Sequence, residues 1–543
     1  FTPTAWKQAC WLPKQWRPLR SSRNGDGPCA VGRDNQEIGR TPAFALRHEK
    51  DTEKMAQYDA DLVVIGGGPG GYPAAIHAAK MGGKVVCVDF DNAGGTCLNW
   101  GCIPTKTMIG SVAALEQARH GADFGLTFGG EVGYDFGKVM ARKDKVVATL
   151  VGGVEFLLKK NKVRFLKGKA TLTDPHTVQV TLEDGKTESV TAASIILATG
   201  SVVAPLPAAV QVIGGDTSDA DVFIDNREVR KRKAAGTLGK TALWTSNEAV
   251  SATEVPKRLV VLGAGAVGTE FAYTYRGLGA DVTLIEFMPN IVPPADPDLS
   301  KELHSLLTKA GIKILTSTKV VAIDVPGRKI KYVSEKGDGE LEFDKMLIGV
   351  GRRSYTDGLG LEAAGVVFDG RKIVADEYMR TNVPHIYAIG DAAGGGLAHV
   401  ATREGEVAAE NALGHTTKMD YTAVPYCVYT EPEMAWTGLT EQQARDKGYD
   451  VKIGKFTFKS LGKAMAINEN VGLVKFVTDA KYGEILGVHI IGPHATDLIH
   501  ECCVSIKLES TIEELMHTIH AHPTLSEAIM EAAQDVKGES VHK

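Results

Sequence analysis

Leu62-Val63-Val64-Ile65-Gly66-Gly67-Gly68-Pro69-Gly70-Gly71 decides the fold of this 543-residue chain. Four consecutive apolar residues read as a strand buried on both faces, and the glycines after them supply a tight turn into a helix. An alanine-rich stretch then leads to Val85-Val86-Cys87-Val88, which ends at Asp89. The same grammar returns further on. Leu259-Val260-Val261-Leu262 precedes Gly263, Gly265 and Gly268, and Val282-Thr283-Leu284-Ile285 ends at Glu286. Asp89 stands 23 positions after Gly66, and Glu286 stands 23 positions after Gly263. One glycine motif is weak evidence, but strand, glycines, helix, strand and terminal acid at one spacing, twice, is strong. Gly66, Gly68 and Gly71, like Gly263, Gly265 and Gly268, allow a turn and the close approach of a pyrophosphate. The helix N-terminus stabilises the negative charge, and the acid accepts hydrogen bonds from a ribose. The expected fold class is therefore α/β, with two Rossmann-like dinucleotide-binding domains.

A few residues after Asp89 comes Gly94-Gly95-Thr96-Cys97-Leu98-Asn99-Trp100-Gly101-Cys102-Ile103-Pro104-Thr105-Lys106. On a regular helix, two cysteines five positions apart would hold their Cα atoms beyond roughly 7 Å, so a bond between them requires a distorted backbone. Asn99 and Gly101 permit the distortion. Pro104 suits a first helical turn, which places Cys102 near a helix N-terminus, where a thiolate is favoured. The spacing alone leaves open that two of the eight cysteines merely fall close together.

Further along, helices are expected over Met108 to Gln117 and Val146 to Lys160, and a hairpin-rich excursion over Thr171 to Val190. Ile195-Ile196-Leu197-Ala198-Thr199-Gly200 reads as another buried strand, and the string from Thr381 to Asp391 delivers a carboxylate at a turn, where it can accept hydrogen bonds from sugar hydroxyls. After Tyr421 the pattern changes to strands at Gly472 to Val477 and Ile485 to Ile491, then helices from Thr496 to Leu508 and Ile512 to Met516. His520-Ala521-His522-Pro523-Thr524-Leu525-Ser526-Glu527 sets the His522 imidazole five residues before a carboxylate that can fix its tautomer and stabilise its cation. That separation is common by chance.

Taken together, the Cys97 to Pro104 string, the paired dinucleotide units and the His522 segment resemble the flavoprotein disulfide reductases, the class I pyridine nucleotide-disulfide oxidoreductase family. The wording is most similar to its dihydrolipoamide dehydrogenase branch, over roughly Ala56 to Ala533. This resemblance implies FAD on the first unit, beside the dithiol, and a nicotinamide on the second. Glu286 followed by Phe287-Met288-Pro289-Asn290, with no nearby arginine cluster, favours NAD over NADP. It also implies a redox-active Cys97–Cys102 disulfide, an ion pair between Lys106 and Glu270 joining the two cofactor sites, and His522 as acid/base with Glu527 as its orienter. Gly95, Thr96, Lys106, Thr199, Gly200, Asp391, Leu397, Ala398 and His399 would lie at the flavin, with His399 a structural or backbone contact, and Gly351 would close the nicotinamide unit. A C-terminal α+β dimerisation domain would make a homodimer in which His522 and Glu527 face the dithiol of the other subunit. The implied reaction oxidises protein-bound dihydrolipoamide and reduces NAD, and the implied partners are lipoyl domains of a 2-oxo acid dehydrogenase or glycine cleavage complex. Mercuric reductase, another flavoprotein disulfide reductase and a non-catalytic structural subunit of a lipoyl-bearing complex are the alternatives. Cys502 and Cys503 read as small residues buried on a helix.

The domain boundaries expected are 56–205 for the first part of the FAD domain, 206–351 for the NAD domain with an insertion near 208–240, 352–418 for the second part of the FAD domain, and 419–543 for dimerisation. Residues 1–55, rich in arginine, proline and polar residues, read as a disordered extension, an added segment or a misplaced start, since the first methionine is Met55. A formal net charge of -5 gives no case for nucleic acid or an anionic membrane. No apolar run is long enough to span a bilayer, and no metal site is expected. Cysteines without regular spacing favour a reducing compartment, cytoplasmic, or the mitochondrial matrix if residues 1–54 include a transit peptide.

Overall fold

The computed structural model describes residues 57–214, 231, 232, 235, 237 and 241–543. The expected extension over 1–55 and most of the expected insertion near 208–240 lie outside the described residues.

The first strand, β1 (Ala60–Ile65), is buried on both faces, and α1 (Gly71–Lys80) leads from it to β2 (Val85–Asp89). Two helices follow in close succession, α2 (Gly95–Asn99) and α3 (Cys102–Arg119). The next helix, α4 (Phe136–Lys160), starts ten residues earlier than its apolar spacing suggests, because the Asp135 carboxylate caps it by accepting the Lys138 N–H. Then β3 (Arg164–Asp174), β4 (Thr177–Leu182) and β5 (Thr187–Leu197) run as antiparallel neighbours through the turns expected at Asp174 and Asp184. At their inner ends β3 and β5 join the parallel sheet, β3 beside β2 and β5 beside β1.

Short strand β6 (Ser201–Val203) carries the chain out of this unit, and β7 (Gln211–Ile213) follows. Although β7 falls within the expected insertion, it pairs in parallel with β12 (Thr318–Asp324), and Val212 packs against the core beneath that sheet. The second unit contains β8 (Leu243–Trp244), α5 (Ser246–Ala249), β9 (Arg258–Leu262), α6 (Ala266–Gly277), β10 (Asp281–Ile285), α7 (Pro297–Lys309) and β11 (Lys313–Leu315). Strands β12, β13 (Lys329–Ser334) and β14 (Gly339–Glu342) form an antiparallel layer, after which β15 (Lys345–Ile348) completes a five-stranded parallel sheet in the order β11-β10-β9-β15-β8.

The chain returns through β16 (Arg352–Ser354), antiparallel to β6, and β17 (Ile386–Ala388) adds to the first sheet beside β5. Helix α8 (Ala398–Ala412) then packs against α1. The C-terminal part is a five-stranded antiparallel sheet built from β18 (Tyr426–Val428), β19 (Glu433–Gly438), β20 (Val451–Thr457), β21 (Leu473–Asp479) and β22 (Ile485–Gly492), in the order β18-β19-β22-β21-β20. Its helices include α9 (Glu441–Asp446) within the sheet's connections and, after β22, α10 (Ala495–Lys507), α11 (Ile512–His517) and α12 (Glu527–Asp535). The architecture is thus α/β with two dinucleotide-binding sheets and a C-terminal α+β part.

One apolar cluster sets the relation of these parts. Trp100, Met108 and Val112 from the dithiol segment, Phe271 and Tyr275 from α6, and Val428 and Trp436 from the C-terminal sheet belong to it. A fully buried Phe271 contributes on the order of 2 kcal/mol, and the shared core holds the dithiol helix against the second unit. Among the described residues no helix is long and apolar enough to cross a membrane.

Candidate active site

The two glycine turns are built alike. Gly66 has φ 112° and Gly263 has φ 98°, a region that side chains rarely adopt, and a Cβ at either would run into a carbonyl, that of Ala198 or of Gly349. Each turn feeds a helix pressed so close to it that a Cβ on Gly71 or Gly268 would strike the carbonyl of Gly66 or Gly263. The acids at the ends of β2 and β10 are held identically. Asp89 accepts the N–H groups of Gly67 at 2.6 Å and Asp91 at 2.8 Å, and Glu286 accepts those of Ala264 at 2.7 Å and Met288 at 2.8 Å. A carboxylate oxygen can accept more than one hydrogen bond, which suits a ribose hydroxyl. Both turns therefore fit a dinucleotide.

One continuous cavity among the described residues runs from the first turn to the second unit. Gly66, Gly68, Asp89, Gly95, Thr96, Thr199, Gly200, Asp391 and Ala398 line it, together with Cys97, Cys102, Lys106 and Glu270. Leu397 and His399, expected at the flavin, do not. Helix α8 begins at Ala398 and turns only one face to the cavity, so Ala398 and Ala401 line it, three positions apart, while the His399 ring is bonded to the Pro425 carbonyl at 2.9 Å. Gly71 lies beneath the turn rather than in the cavity wall. Gly263, Gly265, Gly268 and Glu286 form the separate second turn, and Gly351 stands just outside the cavity at the start of β16.

The cysteines sit at the junction of α2 and α3, and both are free thiols. The distortion between them falls on Trp100 (φ -136°, ψ -10°) and Gly101 (φ -122°, ψ -106°) rather than on Asn99. Asn99 stays helical because its side-chain amide donates back to the Gly95 carbonyl at 2.9 Å. Cys102 opens α3, and the Cys97 thiol hydrogen-bonds to it. That bond lowers the Cys102 thiol to about 7 against the cost of burial, and the Lys106 ammonium helps. Cys97 is pushed up, first by donating its hydrogen to Cys102 and then by burial. The contact therefore favours the thiolate on Cys102 and the proton on Cys97, a pairing suited to exchange.

Lys106 leaves α3 one turn beyond Cys102, and its Nζ lies 2.7 Å from Glu270 Oε2 on α6. Glu270 is buried, and its other oxygen accepts the Tyr429 N–H at 3.1 Å, while the ammonium sits 4.5 Å from the centre of the Tyr429 ring. Tyr429 had no signal in the sequence. Nor did the group around Asp391, whose carboxylate accepts the Ser201 hydroxyl. Arg352 donates Nε–H to Ser201 Oγ and Nη2–H to the Ser201 carbonyl, each at 2.7 Å. Arg352 faces into the cavity, where its guanidinium suits a pyrophosphate, and the one clue was its place after the glycines that end β15.

His522 lies outside the cavity. Its Nδ1 is 2.9 Å from Glu527 Oε1, and the other oxygen of Glu527 accepts the Thr524 N–H at 2.8 Å. Burial would raise the Glu527 carboxyl, but the Thr524 bond and the imidazole hold it below its ordinary value. The imidazole side chain is 78% exposed, so its Nε2 edge faces outward. His520 is engaged elsewhere, with Glu501 at 2.9 Å.

Residues 60–405 match the family described as pyridine nucleotide-disulphide oxidoreductase, and residues 424–533 match the dimerisation domain of that family. A dihydrolipoyl dehydrogenase from Rhizobium etli is 42% identical over 489 residues, 88% of this chain and 98% of the relative. The dihydrolipoyl dehydrogenase of Mycobacterium bovis is 40% identical, covering 90% of this chain and 100% of the relative. Among solved structures, LpdA from Mycobacterium tuberculosis superposes with a TM-score of 0.76 at 26% identity, covering 87% of this chain and 99% of that one. With both turns, the dithiol and the C-terminal sheet in place, the chain belongs to the pyridine nucleotide-disulphide oxidoreductase family, the class I disulfide oxidoreductases that include the dihydrolipoyl dehydrogenases.

Proposed function

We propose that this chain is a dihydrolipoyl dehydrogenase that uses FAD and NAD. The observation that carries the reading is the Cys97–Cys102 thiol pair in the wall of a cavity that starts at one dinucleotide turn and ends at the helix of the other. Gly66, Gly68, Asp89, Arg352 and Asp391 would hold FAD, and the second turn with Glu286 would hold NAD. FAD supplies the two-electron relay between the dithiol and the nicotinamide.

In the oxidised protein, the first thiol of a dihydrolipoyl group passes its proton to His522 of a second copy and attacks Cys97 Sγ. The Cys97–Cys102 bond breaks and its electron pair stays on Cys102 as the thiolate that the Cys97 contact and Lys106 favour. The second substrate thiol then attacks the mixed disulfide and its proton passes to the departing Cys97 sulfur, which releases the cyclic lipoyl disulfide and leaves Cys97 as a thiol. Glu527 holds the imidazole by its Nδ1 edge and stabilises the cation formed when Nε2 takes the proton. The exposure of His522 and its place outside the cavity of its own chain support action across a homodimer. The matched dimerisation domain supports the same reading. Lipoyl domains of a 2-oxo acid dehydrogenase or glycine cleavage complex are the proposed partners.

Purified protein should reduce NAD with dihydrolipoamide, and Cys97→Ser should abolish the reaction. Bound flavin without turnover on dihydrolipoamide would overturn the reading.

A further inference from the structure

Between the two cysteines the helix is interrupted once, and the interruption falls on the bulkiest residue of the segment. In a continuous helix, residues five apart point roughly 140° away from each other, so the sulfurs could not meet. The break at Trp100 and Gly101 is therefore a condition of the chemistry.

Trp100 is fastened from the side. Its indole N–H donates to Asp91 Oδ2 at 2.8 Å, and Asp91 Oδ1 accepts the Asn92 N–H at 2.8 Å. The Asp91 N–H in turn donates to Asp89, which also holds Gly67. A continuous run of hydrogen bonds thus ties the first glycine turn to the break between the cysteines. Asp91 is 2% exposed and Trp100 5%, and the indole shares its apolar cluster with Met108 and Val112 of α3. With water excluded, a carboxylate–indole bond is stronger than a neutral one and more costly to lose.

We infer that Asp91 and Trp100 are positioning residues of the redox centre, whose carboxylate–indole bond holds the backbone break that brings the Cys97 and Cys102 sulfurs together. The inference rests on the reading of these cysteines as the redox couple. Holding the break raises the effective concentration of one sulfur at the other, which favours the disulfide over two separate thiols.

The test equilibrates the FAD-loaded, full-length protein in glutathione redox buffers, quenches with acid, and counts maleimide-labelled Cys97 and Cys102 by peptide mass. Wild type is compared with Trp100→Phe, which keeps the apolar bulk and loses the N–H, with Asp91→Leu, and with the double variant. Each single variant should lower the equilibrium constant for disulfide formation about tenfold, a rise of about 30 mV in potential. The double variant should fall no further, because both changes remove the same bond. A constant within about twofold of wild type in Trp100→Phe, a lowered melting temperature with an unchanged constant, or losses that add in the double variant would each overturn the inference. If Asp91→Leu fails to retain flavin, Trp100→Phe alone decides. A wild type that forms no Cys97–Cys102 disulfide in excess oxidised glutathione overturns the redox-couple reading instead.

Discussion

Lys106 Nζ lies 2.7 Å from Glu270 Oε2, and this contact joins the dithiol helix to the helix that follows the second glycine turn. The pair differs from an exposed surface bridge, which contributes little. Glu270 is only 4% exposed, and Tyr429 closes the pair from the C-terminal part with its N–H and its ring. Lys106→Met leaves a buried carboxylate uncompensated. Since Lys106 is 30% exposed, the loss should be about 2 kcal/mol, below that of a fully buried pair. Urea unfolding measures the stability, and NAD reduction by dihydrolipoamide should fall at least about tenfold.

Cys102 should titrate near neutrality. The Cys97 hydrogen bond lowers its thiol to about 7, from an ordinary value of 9.0, with burial opposing and Lys106 assisting. In the reduced protein, thiolate absorbance in the ultraviolet, taken against a Cys102→Ser control, should appear as pH rises through that value. Cys97→Ala removes the donor, so the midpoint should move upward. Lys106→Met should move it upward too, because a cation that favoured the thiolate is gone. A midpoint unchanged in both variants would exclude these causes.

The parts legible in the sequence were those whose chemistry is local. Gly66 and Gly263 declare their turns because strand, turn and acid lie within one short unit, and the Cys97 to Cys102 segment carries its own helix break. The Arg352–Ser201–Asp391 group was hidden because Arg352 and Ser201 are 151 positions apart and meet only when β16 pairs with β6. Tyr429 was hidden for the same reason, since it reaches Glu270 across 159 positions. Leu397 and His399 show the opposite case, since neither lines the cavity although both were expected at the flavin. They neighbour Ala398 along the chain, but a helix beginning there shows the cavity one face, and chain neighbours point elsewhere.

The contact between the second unit and the C-terminal sheet is a buried charge knot. Lys475, 2% exposed, lies 3.0 Å from Asp296, 2.7 Å from Asp298 and 2.9 Å from Glu441. Asp296 also caps α7 by accepting the Asp298 N–H. Lys475→Met would strand the fully buried Asp296 carboxylate, and chemical unfolding should show a loss of about 3–5 kcal/mol. Burial tends to raise Asp298, but its bonds to Lys455 and Lys475 prevail and lower it to about 2. Its depressed value makes its contribution present above the ordinary carboxylate range and lost only as pH falls toward 2. The knot should therefore survive mild acid, and stability profiles of wild type and Lys475→Met should differ from neutrality down to about pH 4.

His522 and Glu527 make the sharpest prediction, because proton transfer and fold can be separated there. The imidazole is exposed and supports no core, so His522→Ala should leave the melting temperature unchanged while lowering turnover by about 10²–10⁴. Glu527→Gln keeps an oxygen for the Thr524 N–H, so the segment should hold its shape, yet the charge that stabilises the imidazolium is gone. That variant should lose less turnover than His522→Ala, because the imidazole that takes the proton is still present. Mixing His522→Ala chains with Cys97→Ser chains provides the test of geometry. One parent is inactive and the other strongly slowed, but a heterodimer carries one site made from an intact dithiol and the His522 of the other copy. Recovery of activity on mixing after subunit exchange would establish the site as shared, whereas no recovery despite exchange would place His522 with the dithiol of its own chain.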